Sequence, residues 1–220
     1  MEGHFPNNPK VSDEDGSNIV PALWFGVALL PMIVSQVVRL HQHHAGSWIA
    51  WDYAGRLGAL AILAAIPSAR AVAFRWDDRQ ISLVEIVLWI VGLSLAERLS
   101  QWPLRIINAA FPATVLGVYP QPTGWLYLID LIFGLALVAA SEEIIFRQCV
   151  RHALQPFLGR GTAVILATSL VFGFYHWWAG LGNILLATIL GILFAIMLRR
   201  SVALWPVALA HYLVDLIAFA

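Results

Sequence analysis

Two adjacent carboxylates, Glu142 and Glu143, interrupt an otherwise apolar stretch in Ser141-Glu142-Glu143-Ile144-Ile145-Phe146-Arg147. Neighbouring positions on a helix point about 100° apart, so the two acids are not expected to share one task. Glu143 and Arg147 stand at i and i+4 with the acid first, the favourable order for an ion pair. Glu142 is left on another face with no cation nearby in sequence, a carboxylate suited to general-base work. Three more ionisable groups follow in apolar surroundings. His176 closes Phe172-Gly173-Phe174-Tyr175-His176, and His211 and Asp215 again stand at i and i+4 on one helix face. Two carboxylates, two histidines and an aspartate in a chain this poor in charge are candidates for one functional site. The same residue types also tie helices together in membrane bundles, so each alone says little.

Their setting raises the stakes. The chain has 220 residues, 60% hydrophobic and 12% charged, with a mean hydropathy of +0.77. A soluble domain carries about a quarter charged residues. The composition points to an all-α, polytopic transmembrane helical bundle, because a water-soluble fold could not hide this much apolar surface. Inside lipid an ionised side chain costs at least roughly 2.5 to 3.5 kcal/mol, so each one needs a structural partner or a function.

A span needs about 20 apolar residues, which gives this length room for roughly six to eight crossings. Seven are expected, at about 19–40, 48–69, 81–95, 125–155, 162–178, 183–198 and 202–219. They form a single membrane domain, 19–220, behind a disordered polar tail, 1–18. That tail lacks the basic start and early apolar run of a cleaved signal, so the first span itself is expected to direct insertion. Residues 97–124 carry Trp102, Pro103, Arg105, Asn108, Pro112, Pro120 and Pro122, a mixture suited to an interfacial or re-entrant segment. With seven spans, one side receives most of the basic residues, among them Arg70, Arg147, Arg151, Arg160, Arg199 and Arg200. The positive-inside rule then puts the N-terminus in the cytoplasm.

The fourth span reads as one long helix through Glu142 and Arg147, stopped by Pro156 and the Gly159-Arg160-Gly161 turn. Counting at 1.5 Å per residue from that turn puts Glu142 and His176 both roughly 20 to 24 Å deep. Counting from Arg200 at the same face puts His211 and Asp215 at roughly 16 and 22 Å, so all four can meet in one buried cluster. Gly173, Gly180, Gly182 and Gly191 would let the neighbouring helices approach closely.

Other polar residues have plainer readings. Asp52 and Arg56, at i and i+4, can neutralise each other, and Glu85 and Asp130 read as structural. His41-Gln42-His43-His44 reads as a solvated loop between spans. Cys149 stands alone, which excludes an intrachain disulfide and suggests a small buried hydrophobe. The formal net charge is +0 and no basic run could follow a phosphate backbone, so nucleic acid is not an expected partner.

The set EExxxR at Glu142, Glu143 and Arg147, FxxxH at Phe172 and His176, and HxxxD at His211 and Asp215 resembles the CAAX protease and bacteriocin-processing (Abi) family. These are glutamic intramembrane endopeptidases. The resemblance covers a catalytic core at about 125–220. It implies that Glu142, assisted by His176, activates a water that attacks a peptide carbonyl, and that His211 and the residue four further on bind the oxyanion. Glu143, Arg147 and Phe172 would support the site, and no cofactor is implied. The best-known prenyl-protein proteases of this family have Asn where this chain has Asp215. An ionised Asp cannot donate a hydrogen bond, so Asp215 is expected to orient His211 instead.

Two other readings stand beside this one. Glu142, His176 and His211 also make a His₂Glu set of the kind catalytic zinc accepts, although there is no HExxH. A non-enzymatic membrane scaffold or immunity protein, or a buried proton path, would use the same residues without hydrolysis. The expected substrate is a membrane-anchored protein or peptide, with prenylated tails, bacteriocin leaders and sorting-signal tails all compatible. The expected setting is the inner membrane of a prokaryote.

Overall fold

Apolar stretches that must satisfy every backbone group internally fold as helices, and the computed structural model is all-α. It describes residues 19–75 and 81–220; the tail 1–18 and residues 76–80 lie outside the described residues. Helices α1 (Ile19–Arg39) and α2 (Ala45–Ala65) pack as a hairpin. A Cβ added at Gly55 would lie 2.8 Å from the Pro31 carbonyl oxygen, so the two backbones touch there. The His41–His44 connection is exposed or half-exposed, as its polarity suggests. The second expected span, 48–69, stops early, because the chain turns by 115° after Ala65 into α3 (Pro67–Ala73). Pro67 has no amide hydrogen to continue a helix and starts a new one.

The segment expected to be interfacial is largely helical. Helix α4 (Leu83–Ala110) runs unbroken through Pro103. Glu97, Arg98, Gln101 and Arg105 recur at helical spacing and line one internal cavity, so their polarity marks a wet helix face rather than a loop. Glu85 lies in the first turn of α4, its amide donating to Ser82 Oγ at 3.2 Å, and is thus a helix-start residue, not a mid-span charge. Past a short 3₁₀ turn at Pro112–Thr114, the chain runs extended, and the Leu116 amide donates to the Trp178 carbonyl at 2.9 Å.

Helix α5 spans 124–158 and contains two π-helical stretches, Asp130–Gly134 and Glu143–Val150. It passes through Pro156 and ends only at Gly159, whose φ of +71° is open to glycine and closed to most residues. Helices α6 (Thr162–Tyr175), α7 (Leu181–Ser201) and α8 (Leu204–Phe219) complete the bundle. Among the described residues, α7 is long and apolar enough by itself to cross a membrane, and α2 with α3 would be a second such unit if counted as one bent span. The charged residues along α4 and those that α5 buries lower the average hydropathy of both helices. The outer surface is apolar: Leu99 is 76% and Trp125 81% exposed. Such a surface suits lipid better than water.

Two apolar clusters form the interior. One joins α1, α2 and α3 to Ile145, Phe146, Phe172 and Tyr175; the other joins Leu93 of α4 to Phe194 of α7 and Val207, Ala210 and Val214 of α8. Cys149 is fully buried in the first. The close approach expected of the glycines is clearest at Gly173, where an added Cβ would sit 2.6 Å from the Ile184 carbonyl oxygen and also strike Thr188. Gly173→Ala is expected to push α6 from α7 and lower stability by about 1–3 kcal/mol, measurable as a lower melting temperature in detergent.

Candidate active site

The polar cluster lies where the two apolar clusters meet. The π-helical stretch at Glu143–Val150 closes its hydrogen bonds over five residues instead of four, which widens the turn just after Glu142. Both acids are buried, Glu142 at 2% exposure and Glu143 at 0%, and both approach the same imidazole. His211 Nδ1 lies 2.9 Å from Glu143 Oε1, and its Nε2 lies 4.0 Å from Glu142 Oε2 and 3.5 Å from Asp215 Oδ2. The neighbouring glutamates thus face the two different nitrogens of one ring, Glu143 at Nδ1 and Glu142 at Nε2. Phe194 stacks on that ring with centroids 4.8 Å apart.

Glu143 also meets Arg147 as its spacing suggests, with Arg147 Nε 3.2 Å from Glu143 Oε2. The Arg147 guanidinium lies 4.4 Å from the centre of the Phe172 ring and 5.7 Å from that of Phe194. Phe172 thus separates Arg147 from His176, whose ring it contacts edge-on at 4.9 Å.

His176 is not within a helix but caps the end of α6. Its Nδ1 lies 2.9 Å from the Phe172 carbonyl oxygen, which can only accept, so Nδ1 carries the hydrogen and Nε2 keeps a free lone pair. His176 and Glu142 lie within electrostatic reach of each other. A cavity of about 440 Å³ has His176, His211 and Asp215 on its wall, with Glu142 one layer behind His211. Its opposite wall is the polar face of α4.

Several residues that position this cluster carry no local sequence signal. Glu142 is not without a cation: Arg56 Nη2 lies 2.9 Å from its Oε1. The i, i+4 pair of Asp52 and Arg56 does form, with Arg56 Nε donating to Asp52 Oδ2 at 2.9 Å, but it belongs to a longer chain. Arg39, stacked on Trp48, pairs with Asp52, and Arg56 Nη1 donates to Ser141 Oγ at 3.0 Å. Gln36 of α1 holds the residues on either side of His176, donating to the Tyr175 backbone carbonyl at 2.9 Å and accepting from the Trp177 side-chain Nε1 at 2.8 Å. Asn108 of α4 holds the other end of that turn through the Ala179 carbonyl and the Gly182 amide. Asp130 is structural as expected, accepting hydrogen bonds from Tyr53 and Tyr119.

The arrangement offers an imidazole with a free lone pair and a second imidazole held between carboxylates at one cavity, with a buried acid behind them. Among the described residues no group of three His, Cys, Asp or Glu side chains is set to hold a metal ion. None of the curated proteins and none of the solved structures matches the chain. Residues 123–217, which carry every one of the cavity's histidines and acids except Glu97, match the model described as type II CAAX prenyl endopeptidase Rce1-like. Over that segment the chain is similar to the Rce1-like branch of the CAAX protease and bacteriocin-processing family, a family of membrane proteases.

Proposed function

We propose that this protein is a glutamic-type intramembrane endopeptidase that hydrolyses a peptide bond in a membrane-anchored protein or peptide. The observation that carries the reading is the pair of histidines on the wall of one cavity, with Glu142 buried directly behind. Helices α1, α2 and α4 to α8 are the seven spans, with α3 as the bent end of α2, and the arginine-rich ends of α5 and α7 face the cytoplasm.

In this reading a water in the cavity loses its proton to the Glu142–His176 pair as its oxygen attacks the peptide carbonyl carbon. The carbonyl becomes an oxyanion, and His211 Nε2–H donates to it. Because Nδ1–H is directed at Glu143, His211 can donate from Nε2 only as an imidazolium, whose charge the Glu143 carboxylate balances. Collapse breaks the carbon–nitrogen bond, and the proton held by Glu142 and His176 passes to the leaving amine. Arg56 fixes Oε1 of Glu142, so that Oε2 is the oxygen directed toward the reaction.

Glu143 takes the orienting role expected of Asp215, since its 2.9 Å contact is a true hydrogen bond and the 3.5 Å contact of Asp215 is a weak one. Asp215, partly exposed to the cavity, then tolerates conversion to the amide. Asp215→Asn is expected to keep activity within about tenfold of wild type, whereas His211→Ala loses about 10²–10³-fold as an oxyanion donor. Paired cleavage rates of the two variants check this, and a dead Asn variant would return the orienting role to Asp215.

The test of the whole reading is cleavage of a panel of membrane-anchored peptide tails by purified protein in lipid, with a chelator present throughout. Cleavage is the expected result. Activity that needs added zinc would replace the metal-free mechanism with zinc held by Glu142, His176 and His211, and no cleavage of any tail would return the chain to a scaffold or immunity role.

A further inference from the structure

At the end of the bundle where α5 and α7 terminate, a second, smaller cleft of about 20 Å³ opens between the α5 terminus, α6 and α7. Arg147, Arg151, Arg160 and Arg199 line it, together with Gln155 and Thr168, and among the described residues no carboxylate does. The deepest of these groups is Arg147, 2% exposed. Its contact with Glu143 is an ion pair by distance but is not aligned as a hydrogen bond. Among the described residues, Nε, Nη1 and Nη2 of Arg147 and Nε of Arg151 are buried without a hydrogen-bond acceptor. Buried donors without acceptors are costly and rare, and a guanidinium left so is a receptor for an acceptor-rich anion.

The shape of the cleft says which anion. Its other walls are Val164 and Ile165 at the start of α6 and Ala195 and Leu198 near the end of α7. Phe157 and Leu158, at the end of α5 beside Arg160, are 60% and 40% exposed. Guanidiniums set beside apolar walls, with exposed apolar side chains two and three residues before Arg160, suit a molecule with an anionic head and a hydrocarbon body. A space of this size admits about one oxygen atom, so one phosphoryl oxygen would enter towards Arg147 and the rest of the head would stay at the mouth.

We propose that this cleft binds the phosphate of an anionic phospholipid from the surrounding leaflet, with Arg147, Arg151 and Arg160 as its donors. The site is separate from the catalytic cavity, yet the two share a wire. Arg147 touches Glu143, and Glu143 holds His211, so a phosphate on Arg147 bears directly on the pair that orients the catalytic imidazole. The proposal does not depend on the protease reading, because lipid binding can be read without substrate.

The test reconstitutes the full chain in phosphatidylcholine vesicles and titrates in phosphatidylglycerol, reading retained lipid by native mass spectrometry and the melting temperature in parallel. Wild type is expected to retain phosphatidylglycerol in preference to phosphatidylcholine and to melt higher as it is added, since a ligand that binds the folded state stabilises it. Arg151→Gln with Arg160→Gln removes two charges and is expected to weaken that retention about 30-fold. Should that variant fail to fold, Arg151→Lys with Arg160→Lys keeps the charge, loses the fork of donors, and is expected to retain the lipid less well than wild type. Equal retention of the two lipids by wild type would overturn the proposal. So would inorganic phosphate in phosphatidylcholine vesicles that stabilises as much as phosphatidylglycerol does, because free phosphate would then be the ligand.

Discussion

Glu142→Gln is expected to lower peptide cleavage by about 10²–10⁴-fold while the protein folds and reconstitutes like wild type. The loss follows from chemistry, since an amide of the same shape has no basic oxygen to take a proton from water. The retained fold follows from the partners. Arg56 keeps its hydrogen bonds to Asp52 and Ser141, and the carbonyl oxygen of the introduced amide can still accept from Arg56 Nη2. The arginine is therefore not orphaned, and the penalty for stranding a buried charge does not arise. Single-turnover cleavage beside a thermal melt separates the two effects. A variant that turns over normally would remove Glu142 from the mechanism, and one that melts far below wild type would show that its main task is structural. Placing Glu142 behind His211 also makes a comparison with His176→Ala informative. If both act on one water, the double variant should be little slower than the slower single one, because residues that work as a unit are not additive.

Much of this site could be read from the chain, and the reason is geometric. Glu143 with Arg147 and His211 with Asp215 are each one helical turn apart, so spacing alone put each pair on one face. The shared depth expected of Glu142, His176 and His211 followed from counting residues from the turn that proline and glycine mark and from Arg200 at the same face. The rest was hidden for equally physical reasons. No residue type announces a π turn, so the presentation of both glutamates to one ring could not be read from their adjacency. The prolines and charges from Glu97 onward look like a loop to any measure of average hydropathy, whereas α4 runs on to Ala110 and sets Glu97, Arg98, Gln101 and Arg105 along the cavity. Long-range partners leave no trace in local spacing either. Gln36 and Asn108 are unremarkable polar residues until α1 and α4 bring them to the two ends of the turn that carries His176.

Arg56 is the clearest case of that kind, and it supports the second large prediction. Its local partner, Asp52, offers a complete explanation for a charged pair in α2, and the structure adds Arg39 on one side and Glu142 on the other. Two arginines and two carboxylates alternate along the chain Arg39, Asp52, Arg56, Glu142, all at most 5% exposed. Removing the inner arginine leaves two carboxylates to one cation in a place that water barely reaches. Arg56→Gln is therefore expected to cost about 3–5 kcal/mol of stability, the usual consequence of breaking a buried pair from one side. Asp52→Asn, which leaves two cations and one acid, should be harmful too, but it spares the contact that fixes Glu142 Oε1. The two variants thus divide the roles of the network. If Arg56 positions the base, Arg56→Gln at a temperature where it remains folded will cleave more slowly than Asp52→Asn at the same fraction folded. Equal rates would mean that the network holds α2 against α5 and leaves the orientation of Glu142 to its own helix. Arg56→Lys sharpens the comparison, because it keeps the charge and gives up the fork that reaches Asp52, Ser141 and Glu142 together. Recovery of stability without recovery of rate in that variant would assign to Arg56 the geometry of the site and not only its charge balance.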